Sequence, residues 1–372
     1  MAAPLICIDS RYVRRRPSGI GEVVRALIDH APALAPDVRF LLLKHPDTQA
    51  RLSAAPNVTE RVVRAAANGP ATMWWLARAT DLTGVDLFHA PANIQPAGLA
   101  MPVVTTIHDV MWLTHPHWAA RPGWRGRVDR AFYAHGIRRA LRASPRIATV
   151  SAATRDAIAT IDPRAADRMR ITRSGVAPAF HPPAAGVVSP RGERRYVLTV
   201  GQAAPYKNHR AALDAFAVAF ADRNDVDHVF VQRQGAGAAA LLAQAAALGL
   251  TGRVQVMTAV GRDELIALYG HALALCHPSL IEGFGNPLAE AMACGCPVVT
   301  SDVSAMPEVT GGAALLAGPC DVPAIAAALR RVADEPRLAA MLRERGLRRA
   351  AELSWHAFAA ANVAIYREVL GR

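Results

Sequence analysis

The chain has 372 residues, 52% of them hydrophobic, and a formal net charge of +12. This length predicts about two domains, and no apolar run reaches the roughly 18 residues that span a bilayer, which argues against a helical integral membrane protein. The five cysteines have neither a disulfide-framework nor a zinc-ligand spacing, so the sequence predicts buried free thiols in a cytoplasmic protein.

Short apolar runs alternate with longer amphipathic segments through the first half of the chain. The predicted strands are Leu5–Asp9, Val38–Lys44, Asp86–His89, Val103–His108, Arg146–Ser151 and Met169–Thr172. The predicted helices are Ile20–His30, Ala71–Ala79, Arg125–Leu141 and Ala152–Ile158. This alternation is typical of a parallel α/β sheet with helices on both faces.

The same pattern restarts after His181–Arg195, a segment rich in Pro, Gly and charge that we interpret as a linker. The predicted strands are then Tyr196–Val200, His228–Arg233, Val254–Met257, Ala272–His277 and Pro297–Ser301. The predicted helices are Asn208–Phe220, Ala238–Ala247, Arg262–Tyr269, Pro287–Cys294 and Val322–Asp334. We therefore predict two Rossmann-like domains, residues 1–182 and 196–353, and a last helix within 354–372 that packs back on the first domain. Two such domains would face a central cleft at the carboxyl ends of their strands, where open α/β sheets bind ligands.

The positive charge is concentrated in the first half. Residues 1–185 hold 24 Lys and Arg against 13 Asp and Glu, or +11, whereas residues 186–372 hold 18 against 17, or +1. Arginines cluster at Arg14–Arg16, Arg121–Arg130 and Arg138–Arg146. A basic domain predicts an anionic partner. Such a partner could be the anionic inner face of the cytoplasmic membrane, a lipid diphosphate or nucleic acid. The charge is also compatible with an ordinary solvated surface that binds no partner.

The segment Ser279–Thr300, SLIEGFGNPLAEAMACGCPVVT, carries the strongest functional pattern. It places Glu282 and Glu290 on either side of a glycine-containing loop that opens a helix. Asn286 and Pro287 are predicted as the N-cap and the first helical residue. Free N–H groups and the helix dipole at such a start favour an anion, while Gly283 and Gly285 let the backbone pass close to a ligand. Amides for a phosphate and two carboxylates for hydroxyls suit a nucleotide sugar.

Three further elements follow predicted strands and are expected at the same edges. His108 and Asp109 end one strand, where a neutral imidazole could hydrogen-bond a sugar or an acceptor. Lys207, one of only two lysines in the chain, precedes a helix where its ammonium could neutralise a diphosphate. Gly19 and Gly21 open the first helix, although the full dinucleotide-binding fingerprint is absent because position 24 is valine.

Together these motifs resemble glycosyltransferase family 4, whose members are retaining transferases of GT-B fold. The resemblance covers roughly residues 1–360 and rests on SGIG, TTIHDVMWL, ATVSAATRDAI, VGQAAPYKNH, HPSLIEGFGNPLAEAMACGCPVV and MPEVTGGAALL in this order. The fifth motif matches the two-glutamate signature of the family. The second motif resembles bacterial mannosyl- and rhamnosyltransferases that build polysaccharides such as lipopolysaccharide or lipid-linked glycans.

The resemblance implies a role for each matching residue. Glu282 would bind donor-sugar hydroxyls, with the backbone of Gly283, Phe284, Gly285 and Asn286 near the same sugar; Glu290 would bind the ribose, and Lys207 the diphosphate. Gly19 and Gly21 would shape the other side of the phosphate site, and His108, with Asp109 on the acceptor side, would contact the reacting sugar.

One position departs from the family pattern. Many members carry an arginine after the Val-Gly of the second domain, where this chain has Gln202, so one cation is missing from the diphosphate site. The expected reaction moves a mannosyl or deoxyhexosyl group from a nucleoside-diphosphate sugar, GDP-mannose or a related one, to a glycan or lipid-linked acceptor. No Asp-x-Asp motif occurs, so neither a metal nor another cofactor is expected.

Three other functions remain open at this stage. A sugar-nucleotide epimerase or hydrolase would keep the fold and change the reaction. A dinucleotide-dependent oxidoreductase would use the same α/β architecture, but the incomplete glycine fingerprint argues against it. A nucleic-acid binder is suggested by the charge alone, and the chain has no recognition module to support it, so no nucleic acid is expected as a partner.

Overall fold

The computed structural model describes residues 3–14, 18–119, 123–184, 186–232 and 237–372. The chain divides into two compact units: Met1–Gly175 with Ser354–Arg372, and Val176–Leu353. The first boundary therefore lies before the predicted linker, whose residues belong to the second unit. Several residues named in the predictions lie outside the described ranges, namely Arg15, Arg16, Arg121, Ala185 and Arg233.

The first unit is built from seven described strands and the helices between them. The strands are β1 (Leu5–Asp9), β2 (Arg39–Lys44), β3 (Val58–Val62), β4 (Leu87–Ala90), β5 (Val103–Ile107), β6 (Arg146–Thr149) and β7 (Met169–Ile171). The helices are α1 (Gly19–Leu34), α2 (Pro70–Ala79), α3 (Met111–Thr114), α4 (Pro116–Ala119), α5 (Trp124–Ala143) and α6 (Ala152–Ile161).

These strands form one parallel sheet in the order β3-β2-β1-β4-β5-β6-β7. Strand β1 lies between β2 and β4, with Ile6 opposite both Phe40 and Leu87. All five residues of β5 are buried, as expected for a central strand covered on both faces. The strand order reverses between β1 and β4, and such a switch point leaves a crevice at the carboxyl ends of the strands.

The second unit repeats this architecture with six described strands. These are β8 (Arg195–Val200), β9 (Val226–Gln232), β10 (Val254–Thr258), β11 (Ala274–His277), β12 (Val298–Ser301) and β13 (Ala314–Ala317). The helices are α7 (His209–Ala219), α8 (Ala238–Ala247), α9 (Arg262–His271), α10 (Asn286–Ala293), α11 (Met306–Thr310), α12 (Val322–Asp334) and α13 (Pro336–Glu352). The sheet is again parallel, in the order β10-β9-β8-β11-β12-β13, and reverses between β8 and β11.

The predicted α/β architecture is confirmed, and its misses are at the sheet edges. β3 and β13 were not predicted, and each is the outermost strand of its sheet. β3 was missed because it reads VTERV, with one buried residue, which is a weak apolar pattern. β13 reads ALLA, and four apolar residues are too few to distinguish a strand from a helix by their period. The short helices α3 and α4 were also missed, because single turns lack a periodic pattern.

The last helix, α14 (Trp355–Leu370), returns to the first unit, as predicted. Its buried residues include Phe358 and Tyr366, which join the core formed by β1, β2 and α1. Gly175 is needed at the crossing, because a Cβ there would come within 2.4 Å of the Trp355 amide. Among the described residues, none of the helices combines the length and hydropathy required to cross a bilayer.

The cysteines are free thiols, as the sequence predicted, but the prediction that all of them are buried is wrong for Cys320. Cys7, Cys276, Cys294 and Cys296 are buried, and Cys320 is exposed. Burial raises the pKa of Cys276 to about 12, which keeps this thiol protonated and unreactive at neutral pH.

Candidate functional site

The candidate site of the second unit lies at the switch point of its sheet. Strands β8 and β11 are direct neighbours, with Leu198 opposite Leu275. The loop after β8 carries Lys207 and the loop after β11 carries Glu282. Because adjacent parallel strands end at the same edge, the two loops meet although their residues are far apart in sequence.

Lys207 and Glu282 form an ion pair at this edge. The Lys207 Nζ donates to Glu282 Oε1 over 2.6 Å, and each side chain is 10% exposed. Lys207 closes a short 3-10 turn, Pro205–Lys207, and Asn208 then adopts the left-handed conformation (φ 54°) before α7 begins. The side-chain amide of Asn208 donates to the carbonyls of Pro278 and Pro319, which holds the lysine loop against the glutamate loop.

The two oxygens of Glu282 are in different states. Oε1 also accepts hydrogen bonds from Ser279 Oγ (2.8 Å) and His277 Nε2 (3.0 Å), both on buried residues. Oε2 has no hydrogen-bond partner among the residues that the structure describes. Ser304 holds the backbone of Glu282 on both sides, accepting from its N–H and donating to its carbonyl. Glu282 is therefore fixed in place with one oxygen left for a ligand.

The electrostatics of this cluster keep both partners charged. Burial opposes ionisation of Glu282, but Lys207 and His277 outweigh it and lower the pKa of the carboxyl to about 2. Burial likewise acts to lower the pKa of Lys207, but the charge of Glu282 raises it above its ordinary value. Burial lowers the pKa of His277, so the imidazole is neutral at pH 7 and donates through Nε2.

The glycine loop leads directly into α10. Gly285 has φ 95°, a conformation that favours glycine, and α10 begins at Asn286 with Pro287 in its first turn. The prediction that Asn286 is the N-cap is wrong: Gly285 occupies that position, and no side chain caps the helix. The left-handed turn at Gly285 brings the chain into the helix one residue earlier than the sequence suggested. Pro287 has no N–H, and the Leu288 N–H donates to the Gly285 carbonyl over 2.9 Å, so the Asn286 N–H is the backbone donor that the first three helical residues leave for an anion.

Glu290 lies in the second turn of α10. Its Oε2 accepts a hydrogen bond from Tyr269 Oη over 2.9 Å, and Tyr269 is fully buried. Burial and the neighbouring carboxylate raise the pKa of Tyr269 well above its ordinary value, so the phenol stays a donor. The hydrogen bond fixes the orientation of the Glu290 side chain relative to α10.

Gln202, which stands where the family pattern has arginine, is exposed and hydrogen-bonds to Tyr206. Its Nε2 donates to Tyr206 Oη over 2.8 Å, and the Tyr206 ring centroid lies 5.3 Å from Lys207 Nζ. The glutamine thus supports a cation–π contact on the lysine instead of adding a second cation. His209 lies behind the lysine; burial lowers its pKa to about 4, and its Nε2 is buried without a partner among the described residues.

The first unit holds His108 at the carboxyl end of β5. Its Nε2 donates to the carbonyl of Pro91 over 2.9 Å, and its backbone N–H donates to Asn93 Oδ1 over 2.8 Å. Burial lowers the pKa of His108, so the ring is neutral at pH 7, with the proton on Nε2 and a lone pair on Nδ1. Asp109 Oδ1 accepts from the amide of Met111, the first residue of α3, over 3.0 Å.

Gly19 and Gly21 lie in the first turn of α1, after Ser18. The Ser18 side chain caps the helix by accepting from the Gly21 amide over 3.0 Å. A Cβ at Gly21 would approach the Tyr12 carbonyl oxygen to 2.8 Å. The structure thus explains Gly21 through the close approach of the chain's own backbone, and its predicted role beside a phosphate remains a prediction.

His89, the last residue of the predicted strand Asp86–His89, lies in β4 and is fully buried. Its ring nitrogens bond Tyr366 Oη at 2.6 Å and Thr106 Oγ1 at 2.8 Å. The contact with Tyr366 ties α14 to β4 in the first unit. Burial lowers the pKa of His89 to about 3, so the ring stays neutral.

The residues that hold the predicted ones in place were not predicted from the sequence. They are His277, Ser279 and Ser304 around Glu282, Tyr269 beside Glu290, Tyr206 beside Lys207, and Pro91 and Asn93 around His108. His277 and Ser279 lie between the end of β11 and Glu282, so a polar HPS run after an apolar strand was an available signal. Tyr269 lies within an apolar helical pattern and gave none.

The sequence is similar to known glycosyltransferases over both units. The family model described as "Glycosyl transferases group 1" matches residues 186–349, and "Glycosyltransferase Family 4" matches residues 17–180. The chain is 32% identical over 286 residues to "MMP alpha-(1->4)-mannosyltransferase" of Mycolicibacterium hassiacum, covering 75% of this chain and 68% of that one. It is 29% identical over 277 residues to "O-antigen chain mannosyltransferase B" of Escherichia coli, covering 72% and 71%.

Solved structures show the same fold. Sucrose-phosphate synthase from Thermosynechococcus elongatus superposes with a TM-score of 0.73 at 20% identity, covering 99% of each chain. WaaG, a glycosyltransferase involved in lipopolysaccharide biosynthesis, superposes with a TM-score of 0.68 at 15% identity, covering 97% of this chain and 99% of that one. The two parallel-sheet units therefore have the GT-B architecture that the sequence predicted.

Proposed function

The chain belongs to the group 1 glycosyl transferases, with a family 4 N-terminal half, and we propose that it is a retaining transferase. The proposed reaction moves a mannosyl group from GDP-mannose, or a related hexosyl group, to a glycan or lipid-linked glycan. Mannosyltransferases of O-antigen and mycobacterial origin are among its relatives, which supports mannose as the sugar. The observation that carries the proposal is the Lys207–Glu282 pair beside the start of α10.

The diphosphate leaving group is the first part of the reaction that this arrangement serves. Lys207 uses one N–H on Glu282, and an ammonium has three. Its other N–H groups, the Asn286 amide and the dipole of α10 provide fixed positive charge where the nucleoside diphosphate becomes more negative. Stabilisation of this kind needs no metal, so we propose metal-independent transfer, which activity in the presence of a chelator tests.

The donor sugar and ribose are assigned to the two carboxylates. Glu282 Oε2, which has no partner among the described residues, accepts hydrogen bonds from sugar hydroxyls. Glu290, held by Tyr269, accepts from the ribose diol, as an acidic residue does in dinucleotide sites. A carboxylate whose pKa is lowered to about 2 remains a hydrogen-bond acceptor throughout the physiological range.

His108 is assigned to the reacting sugar. Because Nε2 is occupied by Pro91, the lone pair on Nδ1 can accept from a hydroxyl of the sugar or of the acceptor. Double displacement would require a carboxylate nucleophile, and the sequence identified none. We therefore propose substitution on the same face, with the departing phosphate oxygen taking the acceptor proton; an α-linked product, which the M. hassiacum relative's name specifies, is what retention yields from an α-linked donor.

The proposal is tested by a thermal-shift screen over nucleoside diphosphates and sugar nucleotides, followed by transfer from the best donor. We expect the largest rise in melting temperature with GDP and GDP-mannose. NMR of the product should show an anomeric proton with the same orientation, axial or equatorial, as in the donor. Hydrolysis or isomerisation of the donor alone at rates that an acceptor does not increase would contradict transfer. A product of inverted anomeric configuration would contradict retention. A melting temperature that GDP does not change would contradict the proposal that the donor is GDP-mannose.

A further inference from the structure

Helix α5 of the first unit is strongly basic for a helix on a protein surface. Between Trp124 and Ala143 it contains six arginines and a single acidic residue, Asp129. A surface helix ordinarily balances its charges by i,i+4 ion pairs. This excess belongs to the basic first half of the chain, because residues 186–372 are close to neutral.

Five of these arginines line one groove of about 520 Å³, together with the side chains of α3. They are Arg127, Arg130, Arg138, Arg139 and Arg142, and Trp112 and His135 complete the wall. Among the residues that the structure describes, none of the five guanidinium groups has a hydrogen-bond or ion-pair partner. The Nε of Arg139 is moreover buried without an acceptor. Guanidinium groups gathered without counter-charges repel one another, and a phosphate anion relieves that repulsion through paired hydrogen bonds.

Large apolar side chains lie exposed beside this α5 groove. On α5 itself Trp124 is 64% exposed and Val128 is 57% exposed. On α2, Trp75 is 54% exposed, and Trp74 (42%) contacts α5 through edge-to-face packing on Phe132 at 5.7 Å. Four exposed apolar residues on two adjoining helices exceed the scattered ones that a soluble surface normally carries. Indole rings are favoured at the boundary between lipid headgroups and acyl chains.

We propose that this face of the first unit, the α5 groove with Trp124, Val128, Trp74 and Trp75, docks on the anionic headgroups of a phospholipid bilayer. The arginines bind headgroup phosphates, and the exposed aromatic side chains enter the interface beside them. A soluble phosphate would account for the arginines but would leave the exposed tryptophans in water. The inference goes beyond the proposed function and does not depend on the identity of the donor.

The test is co-sedimentation of the full chain with vesicles, without nucleotide sugar. We expect binding to vesicles of phosphatidylglycerol and phosphatidylcholine, and none to phosphatidylcholine alone. Arg138→Glu with Arg142→Glu removes two arginines from the α5 groove. Since each basic residue near an anionic surface contributes about 1 kcal/mol, or about fivefold, the partition coefficient should fall by about 30-fold or more.

A matched control carries the same change in charge on the other unit. Arg337 and Arg345 are exposed on α13, and neither has an ion-pair partner among the described residues. Arg337→Glu with Arg345→Glu should leave vesicle binding within about twofold, because distant surface charges are screened. Equal losses in both double variants would overturn the proposal, since binding would then follow net charge alone.

Two further measurements separate the remaining outcomes. Trp124→Ala should weaken vesicle binding while an unchanged melting temperature shows that the fold is kept; no weakening would overturn the role of the aromatic side chains. Inorganic pyrophosphate, at a concentration equal to that of the protein, should not displace the protein from vesicles. If it does, the α5 groove is a site for a soluble anion and the proposal is overturned. GDP should raise the melting temperature of the Arg138→Glu, Arg142→Glu variant as much as that of the wild type. Loss of vesicle binding in this variant would then not be due to loss of donor binding.

Discussion

Lys207 Nζ lies 2.6 Å from Glu282 Oε1, and this contact joins loops that follow two neighbouring strands of the second sheet. Each side chain is only 10% exposed, so neither charge is well solvated by water and each depends on the other. A pair of this kind contributes little to stability as a pair, but removing one partner leaves a buried charge uncompensated. In the proposed function the pair has a chemical use, because Lys207 and Glu282 would contact the donor together.

Glu282→Gln should reduce transfer from the donor by about 100-fold or more, because the amide keeps the size of the side chain but cannot hold Lys207 or accept in the same way. Steady-state kinetics with the donor found in the screen measure this. Glu344→Gln is the matched control: Glu344 is an exposed carboxylate on α13 paired with Arg348, and its loss should leave the rate unchanged. A fully active Glu282→Gln variant would remove Glu282 from the proposed site.

Acid should selectively destabilise the wild-type chain relative to Glu282→Gln. The pKa of Glu282 is lowered in the folded state to about 2, so its charge stabilises the fold fully above the unfolded pKa of about 4.5 and that contribution is lost as the pH falls toward 2. Urea unfolding at a series of pH values measures the difference between the two proteins. The difference should be on the order of 3 kcal/mol at neutral pH and should shrink through this window; a difference that does not change with pH would contradict it.

Gln202→Arg should tighten donor binding about threefold to tenfold, because it places a second guanidinium near the proposed diphosphate site. Isothermal titration with the nucleoside diphosphate measures the dissociation constant. Gln202→Leu removes the hydrogen bond to Tyr206 without adding charge, and it should weaken binding modestly. If the arginine and leucine variants bind alike, the position does not face the diphosphate.

His108→Ala should lower the rate of transfer by about 100-fold while leaving the thermal shift with the nucleoside diphosphate unchanged. Burial holds the pKa of His108 below its ordinary value of 6.5, so the neutral ring predominates from pH 7 upward. The rate should therefore fall only on the acid side of that value, as Nδ1 gains a proton and ceases to accept. A wild-type profile that rises toward acid would show that the protonated ring is the active form.

Gly21→Ala should destabilise the first unit by about 1–3 kcal/mol, because its Cβ would lie 2.8 Å from the Tyr12 carbonyl oxygen and 2.9 Å from Ser18 Oγ. Chemical denaturation followed by circular dichroism measures the free energy of unfolding. Gly261 is the N-cap of α9, and a Cβ added there would meet no other atom within 4 Å, so Gly261→Ala should cost only the lower N-cap preference of alanine, about 0.5 kcal/mol. Equal effects at the two glycines would contradict the packing argument.

Much of the fold was predictable because its signals are local. Predicted strands such as Leu5–Asp9 and predicted helices such as Ala238–Ala247 agree with the structure to the residue, since an apolar run or a helical period is written in neighbouring positions. The edge strands β7 and β10 were predicted, whereas β3 was missed because it buries one residue only and β13 because its four apolar residues show no period. The cap of α10 was misplaced by one residue because Gly285, not Asn286, takes the turn.

The sequence by itself determined the two α/β repeats, the order of the motifs and the identity of the charged residues at the strand ends. Only the tertiary structure decided that Lys207 contacts Glu282 across 75 positions, that Tyr269 holds Glu290, and that one oxygen of Glu282 is occupied while the other has no partner among the described residues. The reason is physical. Periodicity records which face of an element is buried, whereas contacts between loops depend on which strands become neighbours in the sheet, and that is set by the packing of the whole unit.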